Sequence, residues 1–144
     1  MQMNAYIAGV GMTRFGKHLE ISLKGLAGEA ISEALVDANL SGDDIQAAYM
    51  ANAAGGVVQG QEMISGQVAL RELGIGKIPV VNLENACATS STAFNQACAM
   101  VTYGVWDIVL VCGFEKLFHE DKLRTFAAFD GAVDTENNTM SQTP

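Results

Sequence analysis

The sequence predicts an α/β fold with a mostly parallel sheet and helices on both faces, and three observations lead to this prediction. Short apolar segments alternate along the chain with longer segments of helical periodicity. The segment WDIVLVCGFE (106–115) is apolar without alternation, which is typical of a parallel strand covered on both faces. The order strand–helix occurs three times before a fourth strand, so we expect right-handed crossover connections.

The first strand and the first helix are predicted between residues 5 and 39. AYIAGVG (5–11) is a short apolar run that ends in glycine, as buried strands often do. The segment that follows (21–40) places apolar residues at helical spacing and acidic residues on the opposite face. Ser22 is suited to cap the start of this helix, and Asn39 is suited to end it.

The remaining elements continue the alternation. IQAAYMANA (45–53) is the second predicted strand, GQEMISGQVALRELG (60–74) the second helix, and IPVVNLEN (78–85) the third strand. Residues 86–103 are apolar or small on nearly every face, which predicts a helix packed between layers. Beyond the fourth strand we expect one short helix near residues 123–129 and then a polar tail.

Composition and charge argue against several classes of protein. The chain has 144 residues, of which 49% are apolar and 17% charged, as expected for one globular unit with a core. No apolar run reaches the ~18 residues that cross a bilayer, and no basic segment precedes an apolar N-terminal stretch, so we expect a soluble cytoplasmic protein without membrane association. A net charge of −8 without a basic cluster opposes nucleic-acid binding.

The three cysteines do not form a metal or disulfide pattern. Cys87, Cys98 and Cys112 are widely separated and include no C-x-x-C pair, so neither a zinc site nor a disulfide framework is expected. Cys98 and Cys112 lie inside apolar segments and are predicted to be core residues. No metal site is predicted elsewhere, since the acidic stretch DGAVDTEN (130–137) does not match the spacing of a calcium loop.

Cys87 lies where the third predicted strand gives way to the helix of residues 86–103. Carboxyl ends of parallel strands are favoured ligand sites, and a helix N-terminus offers free N–H groups and favours a thiolate. Those N–H groups could also stabilise an oxyanion. Small neighbours leave room for a substrate acyl group: Ala86, Ala88, Ser90 and Ser91. The same position suits a buried cysteine that fills a tight bend, so these residues alone leave both interpretations open.

The segment NACATSSTAFNQACAMVTYGVWDIVLVCGFEK (85–116) resembles the nucleophile segment of the thiolase superfamily. In that family a cysteine, small residues and a helix lead to a glycine, an apolar strand and then G-x-E. AYIAGVGMTRFGK (5–17) and the helix after it resemble the opening of lipid-transfer or sterol-carrier-type thiolases, which are acetyl-CoA acyltransferases. The resemblance runs from about residue 4 to residue 133 and includes several ordered segments.

The resemblance implies an activity and a role for several residues. Cys87 would accept the acyl group, and its backbone N–H would be one donor of an oxyanion hole. The reaction would be thiolytic cleavage of a 3-oxoacyl-CoA or the reverse condensation, with coenzyme A as a substrate and no permanently bound cofactor. Gly113 and Glu115 match G-x-E and are expected to be structural, whereas Ser90 stands where many members have glycine, which bears on substrate fit.

The resemblance also implies that the site needs further residues. Family members have two similar halves, and the second supplies a histidine and usually a second cysteine within motifs that this sequence lacks. We therefore expect residues 1–115 to form the N-terminal α/β domain and residues 116–144 to begin a truncated substrate-covering region. The isolated chain is expected to be inactive, and a homodimer, through residues 80–84, or a hetero-oligomer with a completing subunit is expected.

Two other functions and several weaker candidate residues remain. The chain could be a non-catalytic thiolase-like subunit or a ketoacyl-synthase-like condensing enzyme, although GVGMTRFGK (9–17) favours the thiolase branch. His18 and His119 are possible bases, but their spacing favours solvated or capping roles. Three basic residues after the fourth strand could contact CoA phosphates, but interleaved acids favour a solvated loop: they are Lys116, Lys122 and Arg124. The N-terminal glycines lack the G-x-G-x-x-G pattern of a dinucleotide site.

Overall fold

The computed structural model describes residues 3–136, and within them three parallel strands form one sheet. The strands are β1 (Ala47–Ala51), β2 (Val80–Leu83) and β3 (Val109–Gly113), in the spatial order β2-β1-β3. In the register, Ala51 pairs with both Leu83 and Gly113. The carboxyl ends of all three strands therefore lie side by side at one edge of the sheet.

Helices cover both faces of this sheet. They are α1 (Leu23–Ala38) and α3 (Ser65–Glu72) on one face and α4 (Thr89–Thr102) on the other. Two further helices, α2 (Gly55–Gln59) and α5 (Lys122–Asp130), contact each other. Short 3₁₀ turns lie at Gly42–Asp44 and Ala86–Ala88. Successive side chains of β1 point to opposite faces: Ala48 and Met50 pack with α1 and α3, whereas Tyr49 packs with α4. The predicted α/β class, with a parallel sheet between helices, is confirmed. None of the helices in the described region is long and apolar enough to cross a membrane.

Both predicted caps of the first helix are observed. Ser22 is the N-cap of α1, and its Oγ accepts a hydrogen bond from the Gly25 N–H at 3.2 Å. Asn39 ends the helix in the left-handed conformation, with φ at 53°. The buried side of α1 contains Leu26 and Ile31, in agreement with the predicted periodicity.

Removing the Ser22 cap is expected to destabilise the fold modestly. Ser22→Ala deletes the acceptor for an N–H of the first turn of α1, so we expect the free energy of unfolding to fall by about 1 kcal/mol. Ser22→Asp keeps an acceptor and should remain close to wild type. Urea denaturation monitored by circular dichroism measures both; equal stability of Ser22→Ala and wild type would show that the cap contributes nothing.

The prediction of a strand at residues 5–11 is wrong for this structure. The segment lies along α1, and a backbone donor at its end and another just after it bond to the acidic side chains that the sequence places on the outer side of that helix. The Val10 N–H donates to Asp37 Oδ2 at 2.9 Å, and the Met12 N–H donates to Glu33 Oε2 at 2.8 Å. An apolar run becomes a strand only when another strand lies beside it, and the described residues provide none there.

The helix predicted between residues 86 and 103 is buried on one side only. Helix α4 packs Ala93 and Ala97 against the sheet, while Phe94 remains 47% exposed. Small residues on every face permit burial but do not require it, and no second layer covers this helix within the described residues.

The helix predicted at 60–74 is shorter in the structure, because Ile64 adopts a left-handed φ of 49° immediately before α3. The short helix expected near 123–129 is α5, and the end of the expected polar tail, from residue 137, lies outside the described residues.

Candidate active site

Cys87 lies in the 3₁₀ turn Ala86–Ala88, between the carboxyl end of β2 and the start of α4. The side chain is exposed, so the thiol does not fill a bend in the core. Ala88, the N-cap of α4, has no side-chain acceptor for the N–H groups of the first turn. The thiol is therefore beside a helix N-terminus, whose dipole favours a negative charge.

The turn that carries the thiol is held by local hydrogen bonds. Ala86 has a positive φ of 45°, a conformation that is uncommon for residues other than glycine. Its N–H donates to Glu84 Oε1 at 2.6 Å, and its carbonyl accepts from Thr89 Oγ1 at 2.6 Å. Thr89 Oγ1 also accepts from the Asn85 N–H at 2.8 Å. These side chains offset the strain and fix the path of the chain on both sides of Cys87.

Glu115 connects the carboxyl end of β3 to the loop that follows β1. Its Oε2 accepts hydrogen bonds from the Ala53 and Ala54 N–H groups, both at 2.9 Å. Its Oε1 accepts from Asn52 Nδ2 at 3.2 Å. The carboxylate thus satisfies backbone donors that no strand pairs, which is the structural role expected for this residue.

Gly113 allows the first turn of α4 to approach the end of β3. A Cβ atom at this position would lie 2.1 Å from Ser90 Oγ and 3.1 Å from Ser90 Cβ, closer than atoms can pack. Ser90 comes three residues after Cys87, so the contact sets the distance between the helix that follows the thiol and β3. Gly113 therefore has the expected structural role: because it lacks a side chain, Ser90 can pack against the end of β3.

The other residues considered from the sequence make local contacts. His18 Nε2 is 2.5 Å from the Arg14 carbonyl oxygen, and His119 Nδ1 accepts from the Asp121 N–H at 3.0 Å. The structure shows neither imidazole hydrogen-bonded to Cys87 within the described residues. It also gives no group of three or more His, Cys, Asp or Glu side chains suited to a metal ion in that part of the chain.

The basic residues after β3 do not form a joint phosphate site. Lys116 Nζ donates to the Ile21 carbonyl at 2.6 Å, just before α1. Lys122 Nζ lies 3.6 Å from the centroid of the Phe118 ring, a cation–π contact. Arg124 pairs at 4.0 Å with the aspartate that caps α5. The contact of Lys116 could not be predicted from the sequence, because it joins residues that are 95 positions apart.

The three thiols differ enough in exposure to predict their order of reaction. Cys87 is exposed, Cys98 is half-buried, and Cys112 is buried, with burial raising the pKa of the Cys112 thiol to about 12. In the native state between pH 7 and pH 9, iodoacetamide should therefore label Cys87 first and Cys112 only after unfolding. Peptide mass mapping at limiting reagent measures the order; earlier labelling of Cys112 would contradict it.

A parallel α/β sheet with an exposed cysteine at a strand-to-helix junction defines a class of proteins that can present a thiol to a ligand at the carboxyl edge of the sheet. The family model described as the N-terminal domain of thiolase matches residues 5–143. The chain belongs to the thiolase family through this domain.

Known proteins with similar sequences and structures agree with this assignment. Acetyl-CoA acetyltransferase of Methanocaldococcus jannaschii is 38% identical over 130 residues, which are 90% of this chain and 32% of that protein. Sterol carrier protein 2 of Gallus gallus is 37% identical over 119 residues, 81% of this chain and 21% of that protein. The crystal structure of 3-oxoacyl-[acyl-carrier-protein] synthase III from Aquifex aeolicus has a TM-score of 0.60 and 25% identity, and it covers 68% of this chain and 31% of that one. The chain spans about a third or less of the length of these proteins.

Proposed function

We propose that this chain is the nucleophile-bearing part of an acyl-CoA thiolase of the acetyl-CoA acyltransferase type, in which Cys87 carries the acyl group. The observation that carries the proposal is the exposed Cys87 thiol beside the N-terminus of α4, in a chain of the thiolase family. A nucleophile must be accessible, and Cys87 is exposed. Its place beside the N-terminus of α4, where a helix dipole favours negative charge, also supports this role.

In the proposed cleavage, the Cys87 thiolate attacks the C3 carbonyl carbon of a 3-oxoacyl-CoA. The new Sγ–C3 bond forms a tetrahedral oxyanion, which the Cys87 N–H is proposed to stabilise as one donor. When the oxyanion collapses, the C2–C3 bond breaks and its electron pair remains on C2, which takes a proton and leaves as acetyl-CoA. The thiol of a second coenzyme A then gives up its proton and attacks the Cys87 thioester, releasing a shortened acyl-CoA and the free thiolate. The reverse sequence forms a 3-oxoacyl-CoA.

The proton transfers need groups that the described residues do not bring to Cys87. We propose that a histidine and a second cysteine come from further residues of the same polypeptide or from a separate subunit. We further propose that residues 116–144 begin the segment that covers the substrate, and that the assembly is a homodimer or a hetero-oligomer. Coenzyme A is a substrate in this scheme and no cofactor is permanently bound.

The proposal is tested by assaying the native, full-length polypeptide that carries these residues, together with any subunit that copurifies with it. The protein is mixed with acetoacetyl-CoA or longer 3-oxoacyl-CoA thioesters and free coenzyme A, and acyl-CoA products are measured by mass spectrometry. From the native protein we expect two acetyl-CoA for each acetoacetyl-CoA, and equal amounts of acetyl-CoA and a shortened acyl-CoA from the longer substrates. We expect no turnover from the isolated 144-residue chain. Absence of both products across short, medium and long chains would refute the thiolase assignment.

A second candidate function is condensation of the ketoacyl-synthase type, which the structural similarity to 3-oxoacyl-[acyl-carrier-protein] synthase III favours. Such an enzyme would also load an acyl group on Cys87, but it would then join that group to a malonyl thioester with loss of CO₂. Supplying malonyl thioesters in place of free coenzyme A separates the two functions. Release of CO₂ without thiolysis would support the condensing enzyme.

A further inference from the structure

Asn52 connects the carboxyl ends of the three strands, through its backbone to β2 and through its side chain to the residues that follow β3. Its backbone N–H donates to the Leu83 carbonyl, at the end of β2, at 3.2 Å. Its Nδ2 donates to the Phe114 carbonyl, directly after β3, at 2.6 Å and to Glu115 Oε1 at 3.2 Å. Its Oδ1 accepts from the Gly55 N–H, at the start of α2, at 2.9 Å. A half-buried amide thus uses both of its polar atoms at the edge of the sheet where Cys87 lies.

These contacts set the path of the chain on both sides of the nucleophile. Leu83, whose carbonyl accepts from the Asn52 backbone N–H, precedes Cys87 by four residues. Ser90 follows Cys87 by three residues and rests against Gly113, two residues before Glu115. A change in the distance between the ends of β2 and β3 would therefore move the turn that carries the thiol.

We infer that Asn52 and Glu115 are positioning residues for Cys87: their side-chain hydrogen bonds hold the loop after β1, and with it the end of β2 that is bonded to the Asn52 backbone, at the distance from β3 that places the thiol for attack on an acyl thioester. This inference rests on the proposed function. Neither side chain contacts the reacting atoms, and both act through the backbone that leads to and from the cysteine. A displacement of about 1 Å is enough to slow a positioned reaction by up to about 10²-fold.

The chain contains a matched control at the opposite edge of the sheet. Gln46, directly before β1, also joins β1 to β3 with its side-chain amide. Its Oε1 accepts from the Asp107 and Ile108 N–H groups at 2.5 and 3.1 Å. Gln46→Ala and Asn52→Ala therefore remove the same kind of side-chain connection between β1 and β3, but only Asn52 lies at the edge of the sheet where Cys87 lies.

The experiment measures acylation of Cys87 in the native, full-length protein by rapid mixing with an acyl-CoA and mass analysis. In Asn52→Ala we expect the maximal acylation rate to fall at least about tenfold, with an unchanged half-saturating concentration of acyl-CoA, because the substrate contacts are retained. The acylation rate of Gln46→Ala should stay within about twofold of wild type, although its melting temperature should fall about as much as that of Asn52→Ala. Glu115→Gln keeps one acceptor and should give an intermediate rate.

The possible results separate the inference from the proposed function. Equal slowing in Asn52→Ala and Gln46→Ala, or wild-type acylation in folded Asn52→Ala, would overturn the positioning role. If Asn52→Ala does not fold, wild-type acylation in Glu115→Gln overturns it instead. If the wild-type protein forms no acyl adduct, the proposed function fails, and the rate of Cys87 alkylation by iodoacetamide decides the inference: it should fall severalfold in Asn52→Ala and not in Gln46→Ala.

Discussion

Cys87→Ala is expected to abolish acyl transfer in the complete protein while leaving the fold intact. The thiol is exposed, so its removal leaves no cavity in the core, and the backbone of the turn is held by neighbouring side chains. Loss of a covalent nucleophile removes the whole pathway, and we expect turnover to fall by at least about 10³-fold. Thiolysis of a 3-oxoacyl-CoA measures the rate, and circular dichroism with thermal denaturation measures the fold.

Cys98→Ala is the matched control for this substitution. Cys98 is half-buried on α4, so its loss should lower stability slightly and leave the turnover rate near that of wild type. Wild-type turnover in Cys87→Ala would contradict the proposed role and would favour the alternative in which this chain is a non-catalytic subunit of a thiolase-like assembly.

Gly66→Ala is expected to destabilise the fold by loosening the contact between α3 and the sheet. A Cβ at Gly66 would lie 2.5 Å from Met50 Cβ and 2.7 Å from Asn82 Oδ1, and Met50 is fully buried in the central strand. Overpacking of this kind costs about 1–3 kcal/mol, and alanine returns up to about 1 kcal/mol of helix propensity. We therefore expect the free energy of unfolding to fall by about 1–2 kcal/mol in urea denaturation.

Gly76→Ala is the control for the change from glycine to alanine. A Cβ at Gly76 would meet no atom within 4 Å, so this variant should be neutral or up to about 1 kcal/mol more stable than wild type. Similar stabilities of Gly66→Ala and Gly76→Ala would show that α3 can move away from Met50 without cost.

Features that depend on neighbouring residues in the chain were accessible from the sequence. Ser22 and Asn39 end α1 as expected, because capping involves only the backbone of the first and last turns. The strand predicted at residues 5–11 failed for the opposite reason. An apolar pattern reports a preference for burial, but the pairing of a strand depends on what lies beside it, and this segment lies along the acidic side of α1.

The candidate site shows the same division. The placement of Cys87 beside the start of a helix could be predicted, because the sequence changes from a strand pattern to a helix pattern within a few residues. In the structure Cys87 lies in the turn directly before α4. The contacts of Asn52 could not be predicted from the sequence, because its amide reaches Phe114, 62 residues away, and nothing in the sequence near Asn52 indicates that contact. The only available signal was weak: a polar residue directly after a buried strand, at the edge where ligands bind.

The most direct test of the proposed function is to trap the acyl-enzyme. The native, full-length protein is incubated with an acyl-CoA in the absence of free coenzyme A, quenched in acid, digested and analysed by tandem mass spectrometry. We predict one acyl group as a thioester on the peptide that contains Cys87, and its disappearance when free coenzyme A is added before the quench. An acyl group on Cys98 or Cys112, or no adduct with any chain length that is turned over, would contradict the assignment of Cys87 as the nucleophile.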